Sequence, residues 1–399
     1  MKKISGGVTA PAGYKAAGMH VGLKKVKPDL ALLVSEKPAA AAAMYTTNLA
    51  KAAPLIVTEE HLAKGGTLRA VVINSANANA CTGEQGIADA VQMTALVAEE
   101  IGCQKEEVAV ASTGVIGVNL PMDKLAAGIK NIVPLLGEDS ETAAKAIMTT
   151  DTFPKEVAVE FQIDDKTVRL GGMAKGSGMI HPNMATMLAF LTTDLAIERP
   201  LLEKALKVAT AETFNMISVD GDTSTNDMVL VMANGLAGNT TIATEGEAYQ
   251  IFFEALLEVT RELAKLIAKD GEGATKLVEI QVQGAESTDA ARTIARSIAC
   301  SNLVKTAIFG EDANWGRILC AAGYSGAEFL VDKVAIYLGD LKVADSGRGT
   351  DFSEEEAKKI LSQKEVKITV DLGAGDCSAT AWTCDLTYDY VKINASYRS

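Results

Sequence analysis

Apolar side chains recur every three or four residues along several stretches of the chain, and at every second residue or continuously along others. The first pattern predicts helices at 84–102, 123–136, 140–148, 200–214, 247–268 and 287–297. In the first of these, Ile87, Val91, Leu96 and Ile101 share a broad face, and Gly102 marks the stop. Ser140 stands where the third helix needs an N-cap, and Ser287 or Thr288 does so for the last. Strands are predicted where β-branched and apolar residues cluster: 68–73, 106–111, 157–163, 186–192, 228–232, 278–283, 334–338, 366–370 and 378–388. The two kinds alternate without a strict βαβ rhythm, so stacked α+β layers fit better than one doubly wound sheet. No internal repeat, low-complexity tract or linker stands out.

Composition narrows the class. A chain of 399 residues is long for one core and predicts two or three lobes. With 5% aromatics against 48% hydrophobic residues, that core must be built from Ala, Val, Ile and Leu. The six cysteines form no C-x-x-C pair and read as reduced thiols of a cytoplasmic protein. The first residues lack the apolar core of a signal peptide, and no stretch reaches the length of a membrane span. A formal charge of −13 argues against nucleic acid or an anionic membrane as partner, while leaving room for a locally positive pocket.

The familiar catalytic patterns fail. There is no P-loop, and "GEGATK" at 271–276 is a fragment of one at most. The acidic "VDGDTSTND" at 219–227 misses the spacing of an EF-hand and reads as a polar turn, with Asp220, Asp222 and Asp227 left without a chemical role. "GSG" at 176–178 lacks the outer glycines of a nucleophile elbow. Only His20, His61 and His181 are present, and none sits in a recognisable Ser-His-Asp pattern. A nucleophile that carries its own base needs no histidine. An N-terminal threonine is one: its α-amine, with a pKa of about 7.7–8.0, takes the proton from its own hydroxyl. Thr186, at the point where a polar loop gives way to an apolar run, qualifies only if the peptide bond before it breaks.

The motif "KGSGMIHPNMATML" (175–188), followed by "AFLTTD", closely resembles the self-cleavage region of the ornithine acetyltransferase family, the glutamate N-acetyltransferases of arginine biosynthesis. The resemblance runs nearly end to end, through "SANANACTG" (75–83), "ASTGVIG" (111–117), "MTTDTFPK" (148–155), "SVDGDTSTND" (218–227), "DGEGATK" (270–276), "GEDANWGRI" (310–318) and "INASYRS" (393–399).

That resemblance implies a layered α-β-β-α sandwich, related to the self-cleaving N-terminal-nucleophile aminopeptidases and amidases. It implies cleavage between Ala185 and Thr186, giving chains 1–185 and 186–399 that fold together as one unit and pair as a heterotetramer of two of each. Thr186 would then carry acetyl from N-acetylornithine to glutamate, releasing ornithine and N-acetylglutamate, with Thr113 and Gly114 as the oxyanion hole. Substrate contacts carry over to Thr152, Lys175, Thr186, Glu272, Asn394 and Ser399. The charges suggest Lys175 for a substrate carboxylate and Glu272 for an ornithine ammonium. His181, Pro182 and Asn183 read as turn geometry presenting the scissile bond. No metal or bound cofactor is implied. Acetyl-CoA serves some family members as co-substrate, and no residue pattern decides that point. The competing readings are an N-terminal-nucleophile amidase or aminopeptidase, with water as acceptor, and a non-catalytic amino-acid-binding protein. Taken singly, Lys175 and Glu272 read as surface charges and Thr113, Gly114 and Thr152 as turn residues.

Overall fold

The computed structural model describes residues 1–181 and 187–396. The chain is α+β and forms two compact units. The described residues of Met1–Gly176, Asn183–Ala211 and Thr223–Leu263 make the first; those of Ser177–Pro182, Glu212–Asp222 and Ala264–Ser399 make the second. Among the described residues no helix is long and apolar enough to cross a membrane, and all six cysteines are free thiols.

The first unit is built on a nine-stranded mixed sheet. Its order runs Lys2–Ile4, Lys155–Ile163, Lys166–Lys175, Leu188–Thr193, Met228–Ala233, Leu30–Tyr45, Thr67–Asn77, Val108–Val115, with Tyr14–Met19 branching from Leu30–Tyr45. Successive side chains point to opposite faces. Leu33, Val71, Ile73 and Ala111 enter one core with Ala143, Ala144 and Ile147 of helix Glu141–Ile147. Leu32, Val72, Val108 and Val110 enter the other, against Met93 and Val97 of helix Gly83–Ile101 and Leu125 and Ile129 of Met122–Ile132. Helices cover both faces, which is why these strands read as apolar runs without alternation. The second unit carries a seven-stranded sheet, ordered Arg348–Gly349, Leu341–Asp345, Ala335–Leu338, Glu365–Asp371, Leu277–Ala285, Cys377–Cys384, Ile217–Ser218. Helix Thr288–Cys300 packs on it through Ile294, Ala295 and Ile298, with Ser287 capping through its side chain as expected.

Several expectations need correction. The helix at 123–136 ends at Ile132 and tightens into a 3-10 turn, Val133–Leu135, because Pro134 has no N–H to give. Ser140 makes no side-chain cap; its hydroxyl bonds the Gly6 carbonyl at 2.8 Å and the Glu156 carboxylate instead. In Gly83–Ile101 the expected Ile87, Val91, Leu96 and Ile101 pack against the core partly buried, and Ala90, Met93, Val97 and Ala98 are the buried members of that cluster. The strand at 378–388 stops at Cys384, where Asp385 turns inward to accept N–H bonds from Thr275 at 2.8 Å and Lys276 at 3.0 Å; Tyr388 already opens helix Tyr388–Ala395. The strand placed at 186–192 is described from Leu188, and residue 186 lies outside the described residues.

Candidate active site

Thr113 and Gly114 lie near the end of strand Val108–Val115, paired in parallel with Thr67–Asn77 so that Ser75 faces Thr113 and Ala76 faces Gly114. Gly114 has φ 133°, and a Cβ there would stand 2.2 Å from the carbonyl carbon and oxygen of Ala76. Ala76 itself has φ 93°. Two adjacent chain segments are thus held in unusual conformations, and glycine is needed at 114 because its neighbour's backbone occupies the Cβ position. Both residues are half-buried.

Lys175 ends strand Lys166–Lys175, almost buried at 7% exposure. Its ammonium donates to Thr149 Oγ1 at 2.9 Å and stands 3.8 Å from Asp151 Oδ2. Asp151 is wholly buried with Lys155, whose Nζ donates to Oδ1 at 2.7 Å. The backbone N–H groups of Gly176 and Thr149 donate to the same carboxylate, at 2.7 and 2.9 Å. Burial alone would raise the Asp151 pKa, but Lys175, Lys155 and these bonds outweigh it and hold the carboxyl well below its usual range. Thr152, the next residue, is exposed. A third cation, Lys24, donates to the carbonyls of Pro28 and Met148 at 2.7 Å each; burial, with Lys175 and Lys27 adding to it and Asp29 opposing, pushes its ammonium down to about 8. Lys175, Lys155 and Lys24 outnumber the carboxylates Asp151 and Asp29 beside them, which leaves an interior suited to a small anion.

In the second unit, Glu272 and Asn394 meet directly. Asn394 Nδ2, on helix Tyr388–Ala395, donates to Glu272 Oε2 at 2.7 Å. The Glu272 N–H donates to the Ser177 carbonyl at 2.9 Å, and Ser177 Oγ to that of Asp270 at 2.6 Å. A Cβ on Gly178 would reach the Glu272 carboxyl within 2.4 Å, so the bare glycine makes room for it. Asp220 accepts the N–H groups of Met179 at 2.6 Å and Ile180 at 2.8 Å, and the Tyr390 hydroxyl at 3.2 Å. Burial and Asp220 raise the Tyr390 hydroxyl's pKa. The acidic turn at 219–227 is therefore a clamp on the backbone of 179–180. His181 Nδ1 lies 3.2 Å from Cys300 Sγ and 3.3 Å from Ser218 Oγ, and burial with Arg296 lowers its pKa. Ala185, Thr186 and Ser399, together with Pro182 and Asn183, lie outside the described residues. Thr113, Gly114, Thr152 and Lys175 belong to the first unit, Glu272 and Asn394 to the second. Among the described residues no group of three or more His, Cys, Asp or Glu side chains is arranged to hold a metal.

A model of the ArgJ family matches residues 15–399. The chain belongs to that family. It is 57% identical over 403 residues, 100% of both chains, to the arginine biosynthesis bifunctional protein ArgJ of Symbiobacterium thermophilum. It is 52% identical to the protein of that name from Bacillus subtilis, covering 100% of this chain and 98% of the relative. The crystal structure of the bifunctional ArgJ of Bacillus halodurans, 52% identical, superposes with a TM-score of 0.52 and covers 53% of this chain and 100% of its own.

Within this ArgJ chain, sequence reasoning missed Asp151, Lys155 and Lys24. "MTTDTFPK" held a signal for the first two, an acid and a base four residues apart in a motif already singled out. Lys24 has none, because its partners are backbone carbonyls, those of nearby Pro28 and of Met148, which is remote in sequence.

Proposed function

We propose that this chain transfers an acetyl group from N-acetylornithine to glutamate, with Thr186 as nucleophile, and accepts acetyl-CoA as a second donor. The observation that carries the reading is agreement over the whole length with relatives named as bifunctional arginine-biosynthesis proteins. The two charged clusters support it: a cationic interior around Lys175 suits a substrate carboxylate, and Glu272, held by Asn394, suits an ammonium.

Maturation begins when the Thr186 hydroxyl attacks the Ala185 carbonyl. The acyl group moves from nitrogen to oxygen, and water cleaves the ester, leaving a carboxylate on Ala185 and a free amine on Thr186. That amine then takes the hydroxyl proton as Oγ attacks the acetyl carbonyl, and returns it to the departing ornithine nitrogen. Glutamate's amine attacks the acetyl-threonine in the second half. Both halves pass through an oxyanion facing the Thr113 hydroxyl and the Gly114 N–H, where a single donor is worth about 3–4 kcal/mol. Thr152 and Ser399 supply neutral hydrogen bonds to the amino acid.

Chains 1–185 and 186–399 would stay associated, as two of each. Support comes from strand pairing across the junction, since Leu188–Thr193 lies hydrogen-bonded to Lys166–Lys175. A solved relative whose complete chain covers 53% of this one, about the share that 186–399 makes up, also favours two chains. The unpaired cysteines favour a reducing, cytoplasmic setting.

Denaturing mass spectrometry should give two fragments meeting between Ala185 and Thr186, and one intact chain for Thr186→Ala. Incubation with N-acetylornithine should yield acetylglutamate only when glutamate is present, and acetyl-CoA should replace the donor. Acetate release indifferent to glutamate would instead identify a hydrolase.

A further inference from the structure

Asn226 lies in the acidic turn's last stretch, two residues before strand Met228–Ala233. That strand runs parallel to Leu188–Thr193, with Met228 beside Leu188 and the Met228 N–H donating to the Met187 carbonyl at 3.0 Å. Asn226 thus enters the sheet beside the strand that follows the proposed nucleophile. Its side chain, 6% exposed, points elsewhere. Nδ2 donates to the carbonyl of Ala78 at 2.5 Å and to that of Ser112 at 2.8 Å, while Oδ1 accepts the Thr225 hydroxyl at 2.6 Å. The orientation of the amide is fixed by its partners: two carbonyls can only accept, and a hydroxyl is there to donate.

Ser112 directly precedes Thr113. Its hydroxyl donates to Asn74 Oδ1 at 2.6 Å, and Asn74 Nδ2 donates to the Asn77 carbonyl at 2.9 Å. The ends of Thr67–Asn77 and Val108–Val115, where Ala76 faces Gly114, are therefore tied into one buried polar network whose outer anchor is Asn226. Between that anchor's strand and the oxyanion strand the sheet interposes Leu30–Tyr45 and Thr67–Asn77. One carboxamide spans this interval, tying the turn before Met228–Ala233 to Ser112 in the oxyanion strand and to Ala78, just past the end of Thr67–Asn77. A buried amide costs free energy unless satisfied, and here both N–H groups are used.

We infer that Asn226 is a positioning residue for acetyl transfer, setting the separation between the nucleophile's strand and the Thr113–Gly114 donors. This rests on the proposed function. Oxyanion donors act in the transition state and leave ground-state binding alone.

The test uses the full-length protein with Asn226→Asp, which keeps the shape and withdraws the donated hydrogens. Active sites are counted by acetyl-enzyme formation. Full loss of a donor costs 10²–10³ in kcat, so a displaced one should cost about 10–100-fold per site with KM within about twofold of wild type. In a Thr113→Ala background the additional loss should shrink to about threefold or less, because both changes act on the same donors. A per-site kcat that is unchanged, or losses that multiply across the two backgrounds, overturns the inference. Should Asn226→Asp fail to fold, Asn226→Gln, which moves the amide by one methylene, is judged by the same criteria. A wild-type enzyme that forms no acetylglutamate would refute the function itself, independently of Asn226.

Discussion

Lys155→Met probes the interior on which the carboxylate site depends. Lys155 and Asp151 are both wholly buried, with Nζ 2.7 Å from Oδ1. Methionine retains much of the side chain's length and packing beside the Phe153 ring and removes the charge. Removing one partner of a buried ion pair costs about 3–5 kcal/mol. Two backbone N–H groups and Lys175, 3.8 Å away, still face Asp151, which favours the lower bound, ~3 kcal/mol. At about 2–4 °C per kcal/mol for a unit of this size, Tm should fall by roughly 6–12 °C. Lys175, 3.8 Å away, is then the cation left to pair with the carboxylate and is drawn onto it, so KM for the amino-acid substrates should rise about tenfold, equivalent to ~1.4 kcal/mol.

The pH dependence has a definite sign. The Asp151 pKa is depressed in the fold, so its contribution is present above the ordinary carboxylate range and is lost as pH falls through the folded value. The variant should flatten that acid limb. Adding Asp151→Asn removes the stranded charge and should restore most of the lost stability. Thermal unfolding and steady-state kinetics on the two variants decide the matter. A Tm within about 2 °C of wild type, or a double variant worse than Lys155→Met, would refute the pairing argument.

Gly114→Ala places a Cβ 2.2 Å from Ala76 backbone atoms at φ 133°, so the strand end must move; backbone strain alone is worth about 1–3 kcal/mol, and kcat should fall at least about tenfold with KM little changed. An unaltered kcat would remove Gly114 from the oxyanion hole. Gly178→Ala should push the Glu272 carboxyl aside and raise KM for N-acetylornithine about tenfold, measured against an unchanged Tm. Asp227 is wholly buried with Oδ2 unpartnered, and burial, against Ser224, Lys175 and Thr46, holds its carboxyl pKa well above the usual range. Its stabilisation is therefore complete below the ordinary carboxylate pKa of about 3.9 and declines as pH rises towards the folded value. Asp227→Asn should remove that slope, so that Tm measured at about pH 5 and about pH 8 differs less than in wild type.

The linear order of residues determined the local elements whose signals are local. Helix Gly83–Ile101 stops at Gly102, with φ 70°, and Ser287 caps helix Thr288–Cys300 because these depend on a few neighbouring residues. The motifs that place the chain in its family were legible for the same reason. Leu30–Tyr45 was not. Its "AAAAAM" run has strong helical preference, yet it is a central strand because Met228–Ala233 and Thr67–Asn77 pair with it on either side. The irregularity between Val34 and Ala39 takes in Pro38, which has no N–H for a ladder. Asn226 likewise read as part of a polar turn, and Lys155 as one residue of a motif, without a role of its own. The carbonyls of Ala78 and Ser112 are brought to Asn226 from distant parts of the chain, while Lys155, whose partner Asp151 is only four residues away, owes the strength of that pair to burial. Side-chain type is written in the sequence; the partner and the local dielectric that give it a task are set by tertiary packing.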